Sequence, residues 1–465
     1  MRLFALLSSF FLVTFGSLCF SQQTEKESWD GINRMVANLK DPLFPDRVYK
    51  ITDFGARGDG KTKNTDAIRA AIEKCHADGG GQVLVADGDF LTGPVHLKSN
   101  VNLHIASGAV LRFSTDTKDY LPLVRTRWEG DDCYNYSPLI YADGQTNFAV
   151  TGKGILNGQG SNEHWWPWKG LEAKGWKKGT PSQLDANCRP LLKKYNDTQV
   201  PVEQRQMGEG YYLRPQFISF SRCKNFKIEG VTITNSPFWV IHPLLSENII
   251  IRNVTVNTEG PNNDGCDPES CKNVLIENCT FNTGDDCIAL KSGRDYDGRR
   301  ENVPIENVVV RNCLMRKGHG GVSLGSEISG GCKNIFVENC EMSSPELDRA
   351  IRIKTNNSRG GVTDGVYVRR VKVGEVKDAV LSINCNYDIR HEGQGKFPPL
   401  VKNVYLSDMT SEKSNYAIWL DGIPGLNCID NIQVRNSVFT GVKNKNYTKN
   451  SAKVVLKNVM IHGVK

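Results

Sequence analysis

The 465-residue sequence has no Pro/Ser-rich linker, no low-complexity tract and no long run of like charge. Composition therefore offers no point at which to divide it into domains. No CxxC or HxxxH pair occurs at zinc spacing, which excludes the common structural zinc modules, and no metal or other cofactor is implied. There is no helix-turn-helix, basic helix or aromatic RNA-binding signature either, so nucleic acid is not an expected partner. The formal charge of +7 is instead compatible with an acidic polymer as substrate. Beyond the N-terminus no segment is long and apolar enough to span a membrane.

What is present begins with Met1–Gln23, where Arg2 precedes an apolar run and then small residues near Ser21. This pattern predicts a signal peptide over residues 1–21, an N-terminal extension over 22–47 and one large domain over 48–465. The product is expected to be secreted or periplasmic, a monomer, with no membrane span in the mature form. Leu18 is too bulky for the small residue that usually precedes a lipidated cysteine such as Cys19. Cleavage after Ser21 removes one of 14 cysteines and leaves thirteen. Cys279, Cys313 and Cys340 each follow an Asn in one recurring phrase (NCT, NCL, NCE). Recurrence at one repeat position predicts a stack of small buried side chains, not a disulfide ladder. Cys266 and Cys271 are close enough in sequence to consider as a disulfide.

Gly is abundant at 44 residues, and one phrase, Asn-apolar-x-apolar-x-Asn/Gly, keeps returning. It reads NFKIEGVTITNS from Asn225, NIIIRNVTVNTE from Asn248, NVLIENCTFNTG from Asn273, NVVVRNCLMRKG from Asn307 and NIFVENCEMSSP from Asn334. Further copies start at Asn147, Gly365, Asn403 and Asn431. Each alternates apolar and polar residues and then turns, as short half-buried strands do. A unit of one or two short strands cannot bury its apolar side alone, and stacking gives a continuous core. The predicted fold is all-β: a right-handed, single-stranded parallel β-helix. A propeller needs about four strands per 40–45-residue blade, and these units are too short. Asn at the turns suits left-handed backbone, and its amides can ladder between coils. Upstream, Asn64–Cys75 reads as an amphipathic helix, with Asn64 or Thr65 as N-cap, closing the open end of the solenoid. Residues from about 159 to 213, rich in Trp, Lys and Pro, break the repeat and read as an ordered insertion beside the strands.

Four polar clusters interrupt consecutive copies: Asn262-Asn263-Asp264-Gly265, Gly284-Asp285-Asp286, Gly318-His319-Gly320-Gly321 and Arg352-Ile353-Lys354. In AIRIKT the inward residues are Ile351 and Ile353, so Arg352 and Lys354 face outward together. In HGGVSLG, inward Val322 and Leu324 place His319 outward. In DDCIALK, alternation would turn Asp286 inward, and an unpaired buried carboxylate is too costly. The chain must bend near Gly284 so that both aspartates reach one surface. Asp264 and Asp285 are 285 − 264 = 21 residues apart, about one turn of the solenoid. All four clusters then share one outer stripe. Crowded carboxylates cannot all ionise easily, so one can serve as general acid while another activates water, the inverting glycosidase scheme.

NNDG, GDD, GHGG and RIK in this order resemble the four signatures of the polygalacturonases, glycoside hydrolase family 28, over most of the chain from about Tyr49. The resemblance implies hydrolysis of α-1,4-linked galacturonate. It matches Asp285 to the general acid, Asp264 and Asp286 to the pair holding the attacking water, and His319 to the histidine that tunes the acid. It matches Arg352 and Lys354 to the cations for the galacturonate carboxylate, and Tyr387 and Asn262 to substrate-binding positions. Asn263 departs from the Thr usual in the first motif, which bears on fine positioning. SGRDYDGRR (Ser292–Arg300) and Trp128–Gly144 resemble the bacterial exo-acting branch. The insertion or the early loop is then expected to close one end of the groove, with Arg299 and Arg300 as further carboxylate contacts. The rivals are a rhamnogalacturonan hydrolase, a calcium-dependent pectate lyase and a non-catalytic carbohydrate-binding β-helix.

Overall fold

The Asn-led phrases at Asn225, Asn273 and Asn307 each become the first of three short strands in a coil. The coil that starts at Ile305 runs through Ile305–Arg311, Leu314–Lys317 and Val322–Leu324. Each of these pairs in parallel with the next coil, at Val310↔Val337, Met315↔Met342 and Val322↔Ile351. Three parallel sheets result, and the chain is a right-handed parallel β-helix. The computed structural model describes residues 25–388 and 395–463, so the predicted signal peptide lies outside the described residues.

The interior is built from aligned rows. Ile251, Ile276, Val310, Val337, Val368 and Leu406 are in register through successive pairings and all are buried. A fully buried side chain of this kind is worth about 1.5–3 kcal/mol, gained only when neighbouring coils cover it. At the rim, Asn248, Asn273, Asn307 and Asn334 each donate Nδ2 to Oδ1 of the Asn one coil earlier, at 2.9 to 3.1 Å. These residues lie at φ 56–57°, the left-handed region that Asn tolerates best after Gly. The ladder and the turn geometry both follow the sequence expectation.

The cysteine stack is present: Cys279, Cys313 and Cys340 hold the same place on successive coils, each free and buried, with each thiol 3.3 Å from the carbonyl oxygen two residues earlier. The suggested Cys266–Cys271 disulfide is not formed, and all thirteen described cysteines are free. Cys266 is fixed by bridges to Ile241 and Ile288 in the third sheet, while the Cys271 thiol turns back onto the Glu269 carbonyl at 3.3 Å.

A helix over residues 25–38 (α1) occupies the segment that periodicity left as an extension. It sets Trp29 and Ile32 on Leu275, Val309 and Phe336, and the Arg369 guanidinium lies 3.6 Å from the centre of the Trp29 ring. The clue lies in VLI, VVV and IFV, where the residue that should face solvent is apolar too. Helix α2 (Thr65–Ala77) covers the open end with Ile68, Ala71, Ile72 and Cys75. Asn64 precedes it as N-cap, but its amide serves the adjoining loop, accepting from Arg57 N at 2.7 Å and donating to the Thr62 carbonyl at 2.7 Å. The insertion is ordered. It holds helix α3 (Arg189–Asp197) and packs Leu192, Met207 and Leu213 with Trp128, Phe238 and Trp239 beside the third sheet. Trp128 ends an antiparallel hairpin, Val124–Trp128 with Asp131–Asn135.

Candidate active site

The third sheet carries the site on its outer face, and the predicted break in alternation is where it begins. Cys287 and Ile288 both belong to the core, so the inward pattern slips by one residue and Asp286 returns to the outside with Asp285. The bend requires glycine at position 284, because a Cβ there would lie 2.1 Å from the Gly260 carbonyl oxygen. Gly320 is equally constrained, since its Cβ would meet Ser323 Oγ at 2.3 Å and Asp286 Oδ1 at 2.9 Å.

Asp264, Asp285 and Asp286 each bring one carboxylate oxygen to within 4.8 Å of the others. That spacing would also suit a shared divalent cation, but the protein supplies its own positive charge. Asp286 is fully buried and strapped on both oxygens: Ser323 Oγ donates to Oδ1 at 2.8 Å, Arg352 to Oδ1 at 3.2 Å and Lys354 to Oδ2 at 2.7 Å. Lys354 and Arg352 hold its pKa well below the ordinary carboxylate range against the cost of burial. Tyr387 lies beside both cations, its ring centre 5.4 Å from Arg352 Cζ and 5.3 Å from Lys354 Nζ.

Nδ1 of His319 is 2.8 Å from Asp285 Oδ1, and the imidazole is half exposed. Burial pushes the Asp285 carboxyl up, but the hydrogen bond and the charge of His319, joined by Lys354, together outweigh it and hold the pKa below the ordinary carboxylate value. The same bond raises the imidazole to about 9. Of the three carboxylates the one raised is Asp264, and burial leads the crowding that the sequence pointed to. Burial first and the Asp285 charge second push it up to about 7, opposed by Lys291.

Beneath Asp264 lies a layer that sequence reasoning missed. Lys291 is buried with Nζ 3.6 Å from Asp264, 3.4 Å from Asp267 and 3.3 Å from Glu327, over the Trp239 ring at 4.2 Å. Asp267 is fully buried, and burial together with the Asp264 charge drives its pKa well up. In a strand reading Lys291 is an ordinary terminal residue, and nothing local marks it.

Asn262 is part of the site, but its Oδ1 accepts from Lys169 at 2.8 Å and from Arg214 at 2.9 Å. Its amide N–H2 is the group left for a ligand oxygen. Asn263 is a buried tie. Its Oδ1 accepts from Thr258 Oγ1 at 2.5 Å and Gly260 N at 2.8 Å, while Nδ2 donates to the Ser236 and Phe238 carbonyls, both at 3.2 Å. The departure from Thr is thus accommodated inside the loop that presents Asp264. Arg300 is not available as a carboxylate contact, because it pairs with Asp132, Asp297 at 2.9 Å and Glu301 at 3.0 Å. Arg299 stacks on Phe397 at 3.6 Å and donates to the Ser358 carbonyl at 2.9 Å.

A family model described as Glycosyl hydrolases family 28 matches residues 203–459. The chain is 31% identical over 402 residues to a probable polygalacturonase of Vitis vinifera, covering 83% of this chain and 73% of that one. It is 28% identical over 410 residues to an exo-poly-alpha-D-galacturonosidase of Dickeya chrysanthemi, covering 81% of this chain and 64% of that one. The crystal structure of a hyperthermoactive exopolygalacturonase from Thermotoga maritima superposes with a TM-score of 0.89 at 43% identity, covering 93% of this chain and 95% of that one.

Proposed function

The chain belongs to the glycosyl hydrolases family 28 and is a glycoside hydrolase, and from that premise we propose that it cleaves α-1,4-galacturonosidic bonds of polygalacturonate from chain ends with inversion. The observation that carries the reading is the meeting of three carboxylates within 4.8 Å with Arg352, Lys354 and Tyr387. Carboxylates alone suit any glycoside, whereas two cations beside them suit a uronate. In this reading Asp285 protonates the leaving oxygen as the glycosidic bond breaks. A water between Asp264 and Asp286 attacks the anomeric carbon and gives its proton to that pair. His319, which holds the resting proton, passes it to Asp285 across their 2.8 Å hydrogen bond in the same step in which Asp285 protonates the leaving oxygen.

Inversion is supported by the state of Asp286. A carboxylate whose two oxygens already accept from Ser323, Arg352 and Lys354 is a poor nucleophile, yet it can still orient a water. The short spacing favours a second reading, since inverting pairs usually stand about 6.5–9.5 Å apart and retaining pairs about 5–5.5 Å. The anomer formed first decides: early β-galacturonate by NMR means inversion, and early α-galacturonate replaces it with a double displacement.

Exo attack is supported by the insertion, whose Lys169 reaches Asn262 at one end of the row of acids, and by the exo-acting relatives. The test is the product profile on defined galacturonate oligomers. Steady release of monomer or dimer is expected, and early mixed oligomers would overturn exo attack. Export is supported by the N-terminal sequence, and among the described residues no helix is long and apolar enough to cross a membrane.

A further inference from the structure

The outer face of the third sheet continues past the cations of the site. Ser323, Arg352, Ser382, Trp419 and Tyr447 are aligned through successive pairings. This one row starts at Ser323, a partner of Asp286, and runs on into the last coils. Ile418 and Leu420 are buried, so alternation turns Trp419 outward between them, and its indole stays only half-buried. The Trp419 and Tyr447 rings are stacked, with centres 5.3 Å apart and planes 13° from parallel. Tyr447 therefore backs one side of the indole. On the other side the row carries only the small Ser382. The gap between Arg352 and Trp419 is a slot that Tyr387 and Asn384 also line. The acids at its edge are already engaged, Asp378 by Arg349 at 2.5 Å and Asp421 by the Asn386 amide at 3.0 Å.

An aromatic ladder elsewhere in the molecule serves the fold alone. Phe336, Tyr367 and Tyr405 stack at 4.7 and 5.3 Å along the first strands of their coils. There α1 lies over the rings: Trp29 meets Phe336 edge-on at 4.9 Å, and Ser28 Oγ donates to Tyr367 Oη at 3.1 Å. Trp419 differs because its unstacked side looks along the row toward Arg352 and Tyr387. A flat apolar ring fixed from behind, beside a few placed polar groups, is what a pyranose needs, since one face of such a sugar carries mainly C–H groups. Its fixed position also limits the side-chain freedom lost on binding.

We propose that Trp419, held by Tyr447, is a sugar platform for the leaving part of the chain. It stacks on the C–H face of the second galacturonate beyond the scissile bond, while the first is seated on Arg352 and Lys354. The inference rests on the galacturonan reading above and adds to it where the departing chain is held. Arg352 and Trp419 are two rungs apart, about 10 Å at the spacing of parallel strands. The sugar after the one on Arg352 then falls over Ser382 and against the ring. The insertion meets the acids from the opposite side, at Asn262, and leaves this direction to the chain.

The test is kcat/KM on galacturonate oligomers lengthened one unit at a time from the dimer. The parent should gain about tenfold at the unit that first reaches the ring, the scale of one good stacking contact. Trp419→Ala should flatten that step to about twofold or less, through KM, whereas Trp419→Phe, which keeps a ring, should retain about threefold. The step is a ratio within one protein, so a general loss of folded enzyme does not move it. A step that survives in Trp419→Ala, or a parent with no step, overturns the platform and leaves the function intact. A parent inactive on every galacturonate overturns the function itself. Should Trp419→Ala fail to fold, Tyr447→Ala takes its place. It should reduce the step to about threefold by freeing the indole, and an unaltered step overturns the platform.

Discussion

Nδ1 of His319 sits 2.8 Å from Oδ1 of Asp285, and the contact moves the two groups in opposite directions, the imidazole up to about 9 and the carboxyl down. A histidine raised in this way stays protonated until the pH passes its folded value, so the pair holds its shared proton throughout the neutral range. The stabilising effect of that charge is complete below the unfolded histidine value of about 6.5 and is lost as pH rises through about 9. On the proposed roles, kcat/KM should fall tenfold per unit above about pH 9. His319→Gln should abolish that limb and lower kcat about 10- to 100-fold with little change in KM. A pH–rate profile of both proteins checks this, and an alkaline limb that survives in the variant would detach His319 from the acid.

Asp285→Asn tests the acid itself. The amide keeps the shape of the side chain but has no proton to give a leaving oxygen. General acid catalysis is worth about 10²- to 10⁴-fold, so kcat should drop by that much. The thermal midpoint and the affinity for galacturonate oligomers should remain close to those of the parent, as read by calorimetry. Full turnover in this variant would falsify the mechanism.

Much of this was legible because the fold writes itself into local chemistry. Left-handed turns select Asn at positions such as Asn248 and Asn273, and coil spacing then carries Asp264 and Asp285 onto adjacent rungs. The slip at Cys287–Ile288 was readable for the same reason, since strict alternation would have buried Asp286 without a partner. The proton's place was not readable, because it depends on a 2.8 Å contact between side chains 34 residues apart. Lys169 and Arg214 were hidden for a different reason. They belong to, or just follow, a stretch with no repeat, so no period could say which loop reaches the site. Helix α1 was overlooked although its docking face, Leu275, Val309 and Phe336, stood in the strands as apolar residues at outward positions.

The cysteines give a prediction that joins the fold to export. Thirteen free thiols are buried, and the fourteenth cysteine of the sequence, Cys19, precedes the proposed cleavage point. Thiol titration of the exported protein should find almost none reactive when folded and thirteen after denaturation. A reductant should leave the melting temperature unchanged. Fourteen thiols would mean that the leader is retained, and a reductant-sensitive midpoint would mean that a disulfide forms.

Lys291 supplies the sharpest link between stability and catalysis. Its ammonium group sits 3.3–3.6 Å from Asp264, Asp267 and Glu327 with almost no exposure to water. Removing one partner of a buried ionic cluster costs about 3–5 kcal/mol, so Lys291→Met should lower stability by that order at pH 7. Lys291, ahead of Arg294, also holds Glu327 well below the carboxylate range against burial. The stability Glu327 contributes is therefore present above its unfolded value and lost as pH falls through its folded one. Without Lys291 that folded value rises, the carboxylates take up protons sooner, and the deficit of the variant should narrow between pH 7 and pH 5. Asp264, pushed up to about 7 even with the lysine in place, should rise further, and the acid limb of kcat/KM should move to higher pH with it. Denaturant melts at the two pH values and a pH–rate profile measure both effects. A deficit that widens toward pH 5, or an acid limb that stays put, would show that the ammonium group is not what keeps Asp264 available to the attacking water.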